Sequence, residues 1–183
     1  MTLSNVGTRF GLCISLCGIL AGNAYAATKA DLHVERELVA NSDFSTPGDG
    51  DLPAHWSIWT PVWSSASCDV KIVPEGLLIE APGKPYGVGG VWQELQGIEG
   101  GQAYTIEGLC KVQGIPSPYQ SLIIRVNWTR EGQLVHPAGM LVRGPIIANE
   151  TTRFKDVLVA PVEADGARLS LEVKWPRGGS VIW

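Results

Sequence analysis

The chain has 183 residues, of which 45% are hydrophobic and 17% are charged, and its formal net charge is −4. This acidic balance gives no sign of the basic surface with which proteins bind nucleic acid, so we expect no nucleic-acid partner. A chain of this length is long enough to bury a substantial core without help from metals or many disulfides.

Residues 1–26 have the features of a secretory signal peptide. Arg9 supplies a positive charge, residues 10–20 form a short apolar run, and Ala24-Tyr25-Ala26 forms a small-residue cleavage signal. A membrane anchor is the alternative, but an anchor needs about 20 consecutive apolar residues. We therefore predict cleavage after Ala26, a secreted or periplasmic protein, and no membrane association after cleavage.

The remaining chain is the size of one domain, with a polar lead-in at residues 27–37 and a β-sandwich module at residues 38–183. Short apolar runs separated by Gly, Pro, Asn and Asp predict strands joined by turns. A short strand followed by a turn at Asn41-Ser42-Asp43 is predicted within residues 38–44. The other predicted strands cover residues 68–73, 77–80, 91–95, 103–112, 121–130, 134–136, 140–142, 153–160, 167–175 and 180–183. We expect the last strand to be truncated, because the chain stops within it.

Two of these strands alternate clearly between apolar and polar residues. The apolar sets are Leu122, Ile124, Val126 and Trp128 in the first strand, and Leu169, Leu171, Val173 and Trp175 in the second. One apolar face per strand is typical of an antiparallel sheet that packs on a second layer, whereas a strand covered on both faces reads as a continuous apolar run. No window shows a helical period.

These observations predict an all-β fold, an antiparallel two-sheet β-sandwich of the jelly-roll kind. An immunoglobulin-like sandwich is the alternative, since Trp92 lies between Cys68 and Cys110. That fold expects a tyrosine two residues before the second cysteine, and Gly108 stands there instead.

Two of the four cysteines, Cys13 and Cys17, lie within the predicted signal peptide. Cys68 and Cys110 remain, and in an oxidising compartment they are a candidate disulfide worth roughly 4 kcal/mol in the chain-entropy model. Two separate buried thiols are the alternative, and the sequence does not decide between them. No pair with CxxC spacing suggests zinc or redox chemistry.

Several short motifs resemble carbohydrate-binding modules of the family 4/9 type, which are galactose-binding-like jelly rolls. The matching segments are Val39-Ala40-Asn41-Ser42-Asp43-Phe44 with Pro53-Ala54-His55-Trp56, Trp92-Gln93-Glu94-Leu95 with residues 100–105, residues 154–161 with 167–171, and residues 179–183. They extend over nearly the whole predicted mature chain.

The resemblance implies a noncatalytic carbohydrate-binding or accessory module of a secreted multidomain hydrolase. Such modules commonly precede a catalytic domain, often a glycoside hydrolase and sometimes a carbon–nitrogen hydrolase, so the resemblance also implies an attached catalytic domain. Acidic residues beyond the final tryptophan hold a structural calcium ion in some members, and this chain ends before that point.

Sugar binding needs flat aromatic faces beside planar hydrogen-bonding groups. The candidate ligand-binding residues are Trp59, Trp63, Tyr86, Trp92, Gln93, Glu107, Arg125, Asn127 and Glu172. The alternative places Trp56, Trp92, Trp128 and Trp175 in the core and pairs the charges across strands on a solvated face. A structural sandwich that packs on an adjoining catalytic domain without binding glycan is the corresponding functional alternative.

A polysaccharide lyase or hydrolase is a further alternative, with Glu107 and Glu172 as the carboxylate pair. Each glutamate has cationic neighbours in the alternating pattern, and these lower a carboxyl pKa, which is the opposite of what a general acid needs. We therefore expect no catalytic residue in this segment.

Glu35, Asp43, Asp49 and Asp51 are the oxygen ligands that a structural calcium ion would use near the start of the module. We expect no other cofactor.

Overall fold

The computed structural model of the protein describes residues 36–61, 66–136, 139–142, 144 and 151–183, together with the backbone of two further strands, at 12–16 and 146–148. In chain order the elements are β1 Leu12–Leu16, β2 Ser57–Trp59, β3 Asp69–Val73, β4 Gly76–Glu80, β5 Val88–Gln96, β6 Ala103–Gln113, α1 Pro118–Ser121, β7 Leu122–Arg130, β8 Gln133–Leu134, β9 Met140–Leu141, β10 Ile146–Ala148, β11 Thr151–Val159, β12 Gly166–Lys174 and β13 Ser180–Ile182.

The strands form two antiparallel sheets, so the prediction of an all-β, two-sheet sandwich is confirmed. The first sheet has the order β10-β11-β6-β13-β4-β3, and β1 pairs with β6 beside that path. The second sheet has the order β2-β5-β12-β7-β8, and β9 also pairs with β7. No helix among the described residues has the length and apolar character that a membrane crossing requires.

The core lies between the sheets and is formed by the alternating residues of the long strands. The apolar side chains of β7 that alternate in the sequence, Leu122, Ile124, Val126 and Trp128, are all buried, as predicted. Across the layers the Tyr104 ring of β6 lies 5.8 Å from the Trp128 ring of β7. On the first sheet, the Phe154 ring of β11 lies 5.4 Å from the ring of Trp183, which directly follows β13. Large aromatic side chains from both sheets therefore interdigitate at the centre.

The turn predicted at Asn41-Ser42-Asp43 is confirmed, whereas the short strand predicted just before it does not form. Asn41 and Phe44 have positive φ values of 51° and 55°, which no extended strand contains. The Asn41 side chain donates to the carbonyl oxygens of Thr46 and Ala54, and the Trp56 indole donates to the Asn41 carbonyl. The segment is thus held by its own hydrogen bonds rather than by a sheet ladder.

The prediction that Trp175 is a core residue is also wrong, since its side chain is 61% exposed. β12 ends at Lys174, and Trp175 turns away from the strand with a φ of 61°. Its N–H donates to the Gly87 carbonyl at 2.7 Å. The two-residue rhythm that buries Leu171 and Val173 therefore stops one residue earlier than the sequence indicates.

The structure also bears on the predictions made for the two cysteines and for the signal peptide. Cys68 and Cys110 are both buried free thiols, so the structure contains the alternative to the candidate disulfide. β1, which lies within the predicted signal peptide, pairs with β6 from Leu12↔Gly108 to Leu16↔Tyr104. Cleavage after Ala26 stays a prediction, and it would remove this strand.

Candidate functional site

The side of the second sheet that points away from the core carries polar and aromatic side chains. We call this surface the outer face. Its members come from neighbouring strands in register: Ser170 of β12 is opposite Trp92 of β5 and Arg125 of β7, and Arg168 is opposite Glu94 and Asn127. Because residues opposite one another in a sheet project to the same side, these side chains share one surface. Trp59 of β2 and Glu172 of β12, both opposite Gly90, belong to the next row.

Glu172 is the centre of this surface and is only 1% exposed. Its Oε1 accepts from Arg125 Nε at 2.8 Å and from Ser170 Oγ at 2.8 Å, and its Oε2 accepts from Arg125 Nη2 at 3.3 Å and from Lys174 Nζ at 2.8 Å. Burial by itself raises the pKa of Glu172, but the hydrogen bonds from Arg125, Lys174 and Ser170 outweigh burial and hold the pKa below its ordinary value. The carboxylate is therefore ionised and its oxygens are occupied by protein donors.

Two tryptophans on the outer face each carry a cation against the ring. Arg168 Cζ lies 4.4 Å from the Trp92 ring centroid, and Lys174 Nζ lies 5.2 Å from the Trp59 ring centroid. Both rings are half-buried, and the Trp92 indole donates to the Ile58 carbonyl at 3.1 Å. Cation–π contact of this kind fixes the rings in place and leaves less of each face open to a ligand.

A cleft of about 500 Å³ lies where β12 ends and is lined by Pro85, Tyr86, Trp175 and Arg177. We call it the aromatic cleft. Tyr86 is 74% exposed and Trp175 is 61% exposed, which is unusual for such large apolar side chains. Both residues have left-handed backbone conformations, with φ values of 64° and 61°, in which bulky side chains are rare. Residues with strained backbone cluster at ligand-binding and active sites, although in this chain turn residues such as Asn41 and Glu131 also have positive φ values.

The structure brings five of the predicted site residues to the outer face, namely Trp59, Trp92, Arg125, Asn127 and Glu172. Tyr86 lies in the aromatic cleft instead. Trp63 lies outside the described residues. The sequence prediction missed Trp175 and Arg177, and the signal that could have found them is the Pro176-Arg177-Gly178-Gly179 turn directly after the strand.

Gln93 does not lie with the predicted site residues. It points to the core side of β5, between Val91 and Leu95, and is 3% exposed. Its amide accepts from the Ala40 N–H at 2.8 Å and donates to the Ala40 carbonyl at 2.9 Å. Gln93 therefore attaches the N-terminal turn to the sheet, and its amide is not available to a ligand.

Glu107 does not lie with them either, because it belongs to β6 in the other sheet. There it forms ion pairs with Arg153 and with Lys155, the latter at 3.4 Å. The carboxylate pair that glycoside hydrolysis would need from Glu107 and Glu172 is therefore not assembled, since the two residues stand in different layers.

The aspartates near the start of the module do not form a metal centre with other side chains. In the part of the chain that the structure describes, no three or more His, Cys, Asp or Glu side chains gather closely enough to hold an ion. Asp43 Oδ1 accepts from the Ser45 N–H at 3.2 Å and from Ser45 Oγ at 2.8 Å, which is turn chemistry. Glu35 lies outside the described residues, and the calcium ion stays a prediction.

No family model and no curated protein matches this chain. Among solved structures, the chain is similar to the enzymatically active domain of tailspike protein 4 of bacteriophage CBA120, with a TM-score of 0.51 and 15% sequence identity. The match covers 70% of this chain and 18% of the tailspike chain, so this chain spans a small part of that protein's length. At this level of identity the likeness supports the fold alone.

Proposed function

We propose that this chain is a noncatalytic carbohydrate-binding module that binds glycan in the aromatic cleft. The observation that carries the proposal is the pairing of two largely exposed aromatic side chains, Tyr86 and Trp175, in one cleft with the guanidinium of Arg177. Flat aromatic rings stack on the apolar faces of sugar rings, and a planar donor such as guanidinium hydrogen-bonds sugar hydroxyl groups.

The outer face supports the cleft rather than forming the binding surface. Lys174 and Trp175 are neighbours in the chain, and Lys174 is held by Glu172 on one side and lies against Trp59 on the other. This fixes the end of β12 from which Trp175 projects. A binding residue on a rigid strand end loses little conformational freedom when ligand binds, so the buried cluster favours binding indirectly.

The module would act by tethering. Weak binding to a glycan raises the effective concentration of whatever is linked to the module, and a secreted hydrolase domain is the linked partner we propose. Glu107 and Glu172 lie in different sheets, so the proposal assigns neither of them a role in glycan binding by the cleft.

A second candidate function is packing on an adjoining catalytic domain without glycan binding. Val157 and Val159 alternate on β11 and are both largely exposed on the outer side of the first sheet. Neighbouring exposed apolar side chains favour contact with another protein surface. This surface lies on a different sheet from the strand that carries Trp175, so the two functions can be tested separately.

Affinity electrophoresis in gels that contain soluble polysaccharides tests the proposal. We expect retardation of the unmodified chain by at least one glycan and loss of that retardation in Tyr86→Ala and Trp175→Ala. Tyr119→Ala is the matched control, because Tyr119 is also 74% exposed but does not line the cleft. Retardation that survives both cleft substitutions, or that is lost equally in Tyr119→Ala, would contradict glycan binding in the aromatic cleft.

A further inference from the structure

Two loops form the aromatic cleft, and backbone hydrogen bonds join them at both ends. The first loop connects β4 to β5, and the second connects β12 to β13. The Ala81 N–H donates to the Gly179 carbonyl at 2.9 Å, and the Trp175 N–H donates to the Gly87 carbonyl at 2.7 Å. The loops are therefore antiparallel and fixed against each other. We call residues 81–87 and 175–179 the loop pair.

The loop pair holds its side chains on a restricted backbone. Pro176 is buried between the exposed side chains of Trp175 and Arg177, and its ring fixes φ in the second loop. In the first loop, a Cβ placed on Gly87 would lie 2.7 Å from Cδ of Pro82, so this loop closes tightly on itself. The indole of Trp175 and the guanidinium of Arg177 are thus presented together from one short turn.

The loop pair carries two cations and no carboxylate, although the whole chain has a net charge of −4. Its two segments read Ala-Pro-Gly-Lys-Pro-Tyr-Gly and Trp-Pro-Arg-Gly-Gly, so its charged residues are Lys84 and Arg177. Arg177 lines the cleft with Tyr86 and Trp175, and Lys84 is exposed two residues before Tyr86. The binding proposed for the cleft therefore takes place beside positive charge.

Neither cation of the loop pair forms an ion pair with any residue that the structure describes. The carboxylates that flank the loops in the chain have other partners. Glu80, which precedes the first loop, lies 3.9 Å from the amine of Lys71. Glu172, shortly before the second loop, is buried and lies 2.8 Å from the amine of Lys174. The guanidinium in the cleft is therefore open to an anionic group supplied by a ligand.

We propose that the glycan recognised by the aromatic cleft is anionic, with a carboxylate or sulfate group of one sugar unit bound to Arg177; this specificity rests on the glycan binding proposed above. The sugar ring stacks on Trp175, and its anionic substituent accepts two parallel hydrogen bonds from the guanidinium. Lys84 adds an attraction that depends on charge rather than on a fixed geometry. A neutral sugar lacks these charge-assisted hydrogen bonds and binds more weakly.

Isothermal titration calorimetry with matched oligosaccharides tests the charge preference. The carboxylated probes are oligogalacturonate and oligomannuronate, each compared with its own methyl ester, and the sulfated probe is a sulfated galactan oligosaccharide, compared with its desulfated form. We expect at least one charged probe to bind about ten-fold more tightly than its neutral form. The pair that shows this difference identifies the anionic group as carboxylate or sulfate.

The outcomes separate this specificity from the proposed function. Equal binding of charged and neutral forms, or binding of neutral glycans alone, would overturn the anion preference while glycan binding in the cleft stands. No binding of any glycan, or binding that survives Trp175→Ala, would overturn the proposed function and the preference with it.

Arg177→Gln tests the residue to which the preference is assigned. Arg177 is exposed, so the variant should fold, and we expect it to bind the charged probe at least about ten-fold more weakly and the neutral form almost unchanged. Arg130→Gln is the matched control, because it removes the same charge from the end of β7 that pairs near Gly166, at the opposite end of β12 from the cleft. Equal losses in the two variants would overturn the assignment to Arg177.

Discussion

Arg125 of β7 and Glu172 of β12 are joined by two hydrogen bonds, from Nε to Oε1 at 2.8 Å and from Nη2 to Oε2 at 3.3 Å. Both residues lie on the outer side of the second sheet. Glu172 is as buried there as the core residues beneath it. A carboxylate without solvent depends on its protein donors, so this pair matters more than an ordinary surface ion pair.

Arg125→Ala should destabilise the protein substantially. The substitution leaves the Glu172 carboxylate buried with only Lys174 and Ser170 as partners, and we expect a loss of roughly 2–4 kcal/mol in the free energy of unfolding. Urea denaturation measures it. Arg168→Ala is the matched control, since Arg168 and Glu94 form an exposed pair on the same face, whose loss should cost less than about 1 kcal/mol. Equal effects of the two substitutions would contradict the importance of burial.

The stability of the fold should depend on pH through Glu172. Its pKa is lowered in the folded protein, so the stabilisation that it contributes is present above its ordinary range and is lost as the pH falls through the folded value. We expect unfolding in urea to become easier between about pH 6 and about pH 3, and the difference between the unmodified chain and Glu172→Gln to shrink over the same interval. A difference that stays constant with pH would show that Glu172 does not titrate in this way.

Tyr86→Asn should separate stability from binding. Tyr86 has a φ of 64°, a region that asparagine adopts more readily than tyrosine, so the variant should be as stable as the unmodified chain or up to about 1 kcal/mol more stable. Glycan retardation should nevertheless be lost, because the ring is gone. Thermal unfolding and affinity electrophoresis are compared on the same preparations. Loss of stability would indicate that Tyr86 has packing contacts that its exposure does not suggest.

Both cysteines should be unreactive in the folded protein. Burial is the main cause that raises the pKa of the Cys68 thiol to about 11, and burial raises the pKa of Cys110 as well. We expect neither thiol to react with iodoacetamide at about pH 8 until urea unfolds the chain, and then both to react. Mass spectrometry counts the modified residues. A protein that resists labelling even when unfolded, and that gains two labels after reduction, would instead contain the Cys68–Cys110 disulfide.

Alternation was sufficient to predict the sandwich but not its pairing. The pattern around Val126 and Leu169 predicted which side of β7 and β12 is buried. Successive side chains of a strand point to opposite faces, so a strand that covers one core places its apolar residues on one face. The same pattern did not show that Glu107 and Glu172 belong to different sheets, since strand order depends on long-range contacts. Glu172 itself follows the polar side of β12 and is nevertheless buried, and its donors on β7 and β12 compensate for the loss of solvent there.

Local backbone conformation set the other limit. Trp175 fits the alternation of apolar and polar residues in β12, so the alternation alone predicts that it is buried. The alternation does not show that β12 ends at Lys174. Gln93 is a different case, because its parity with Val91 and Leu95 already placed it on the core side. The sequence prediction grouped Gln93 with the site residues on chemical type and did not use that parity.

Because the tryptophans differ in exposure, the intrinsic tryptophan fluorescence of the protein should respond to ligand binding in the aromatic cleft. Trp128 and Trp183 are enclosed in the core, whereas Trp175 stands in water at the end of β12. A neutral quencher such as acrylamide should therefore reach Trp175 before the enclosed indoles, and a ligand that covers the cleft should shield it. Fluorescence emission can thus register occupancy without any label.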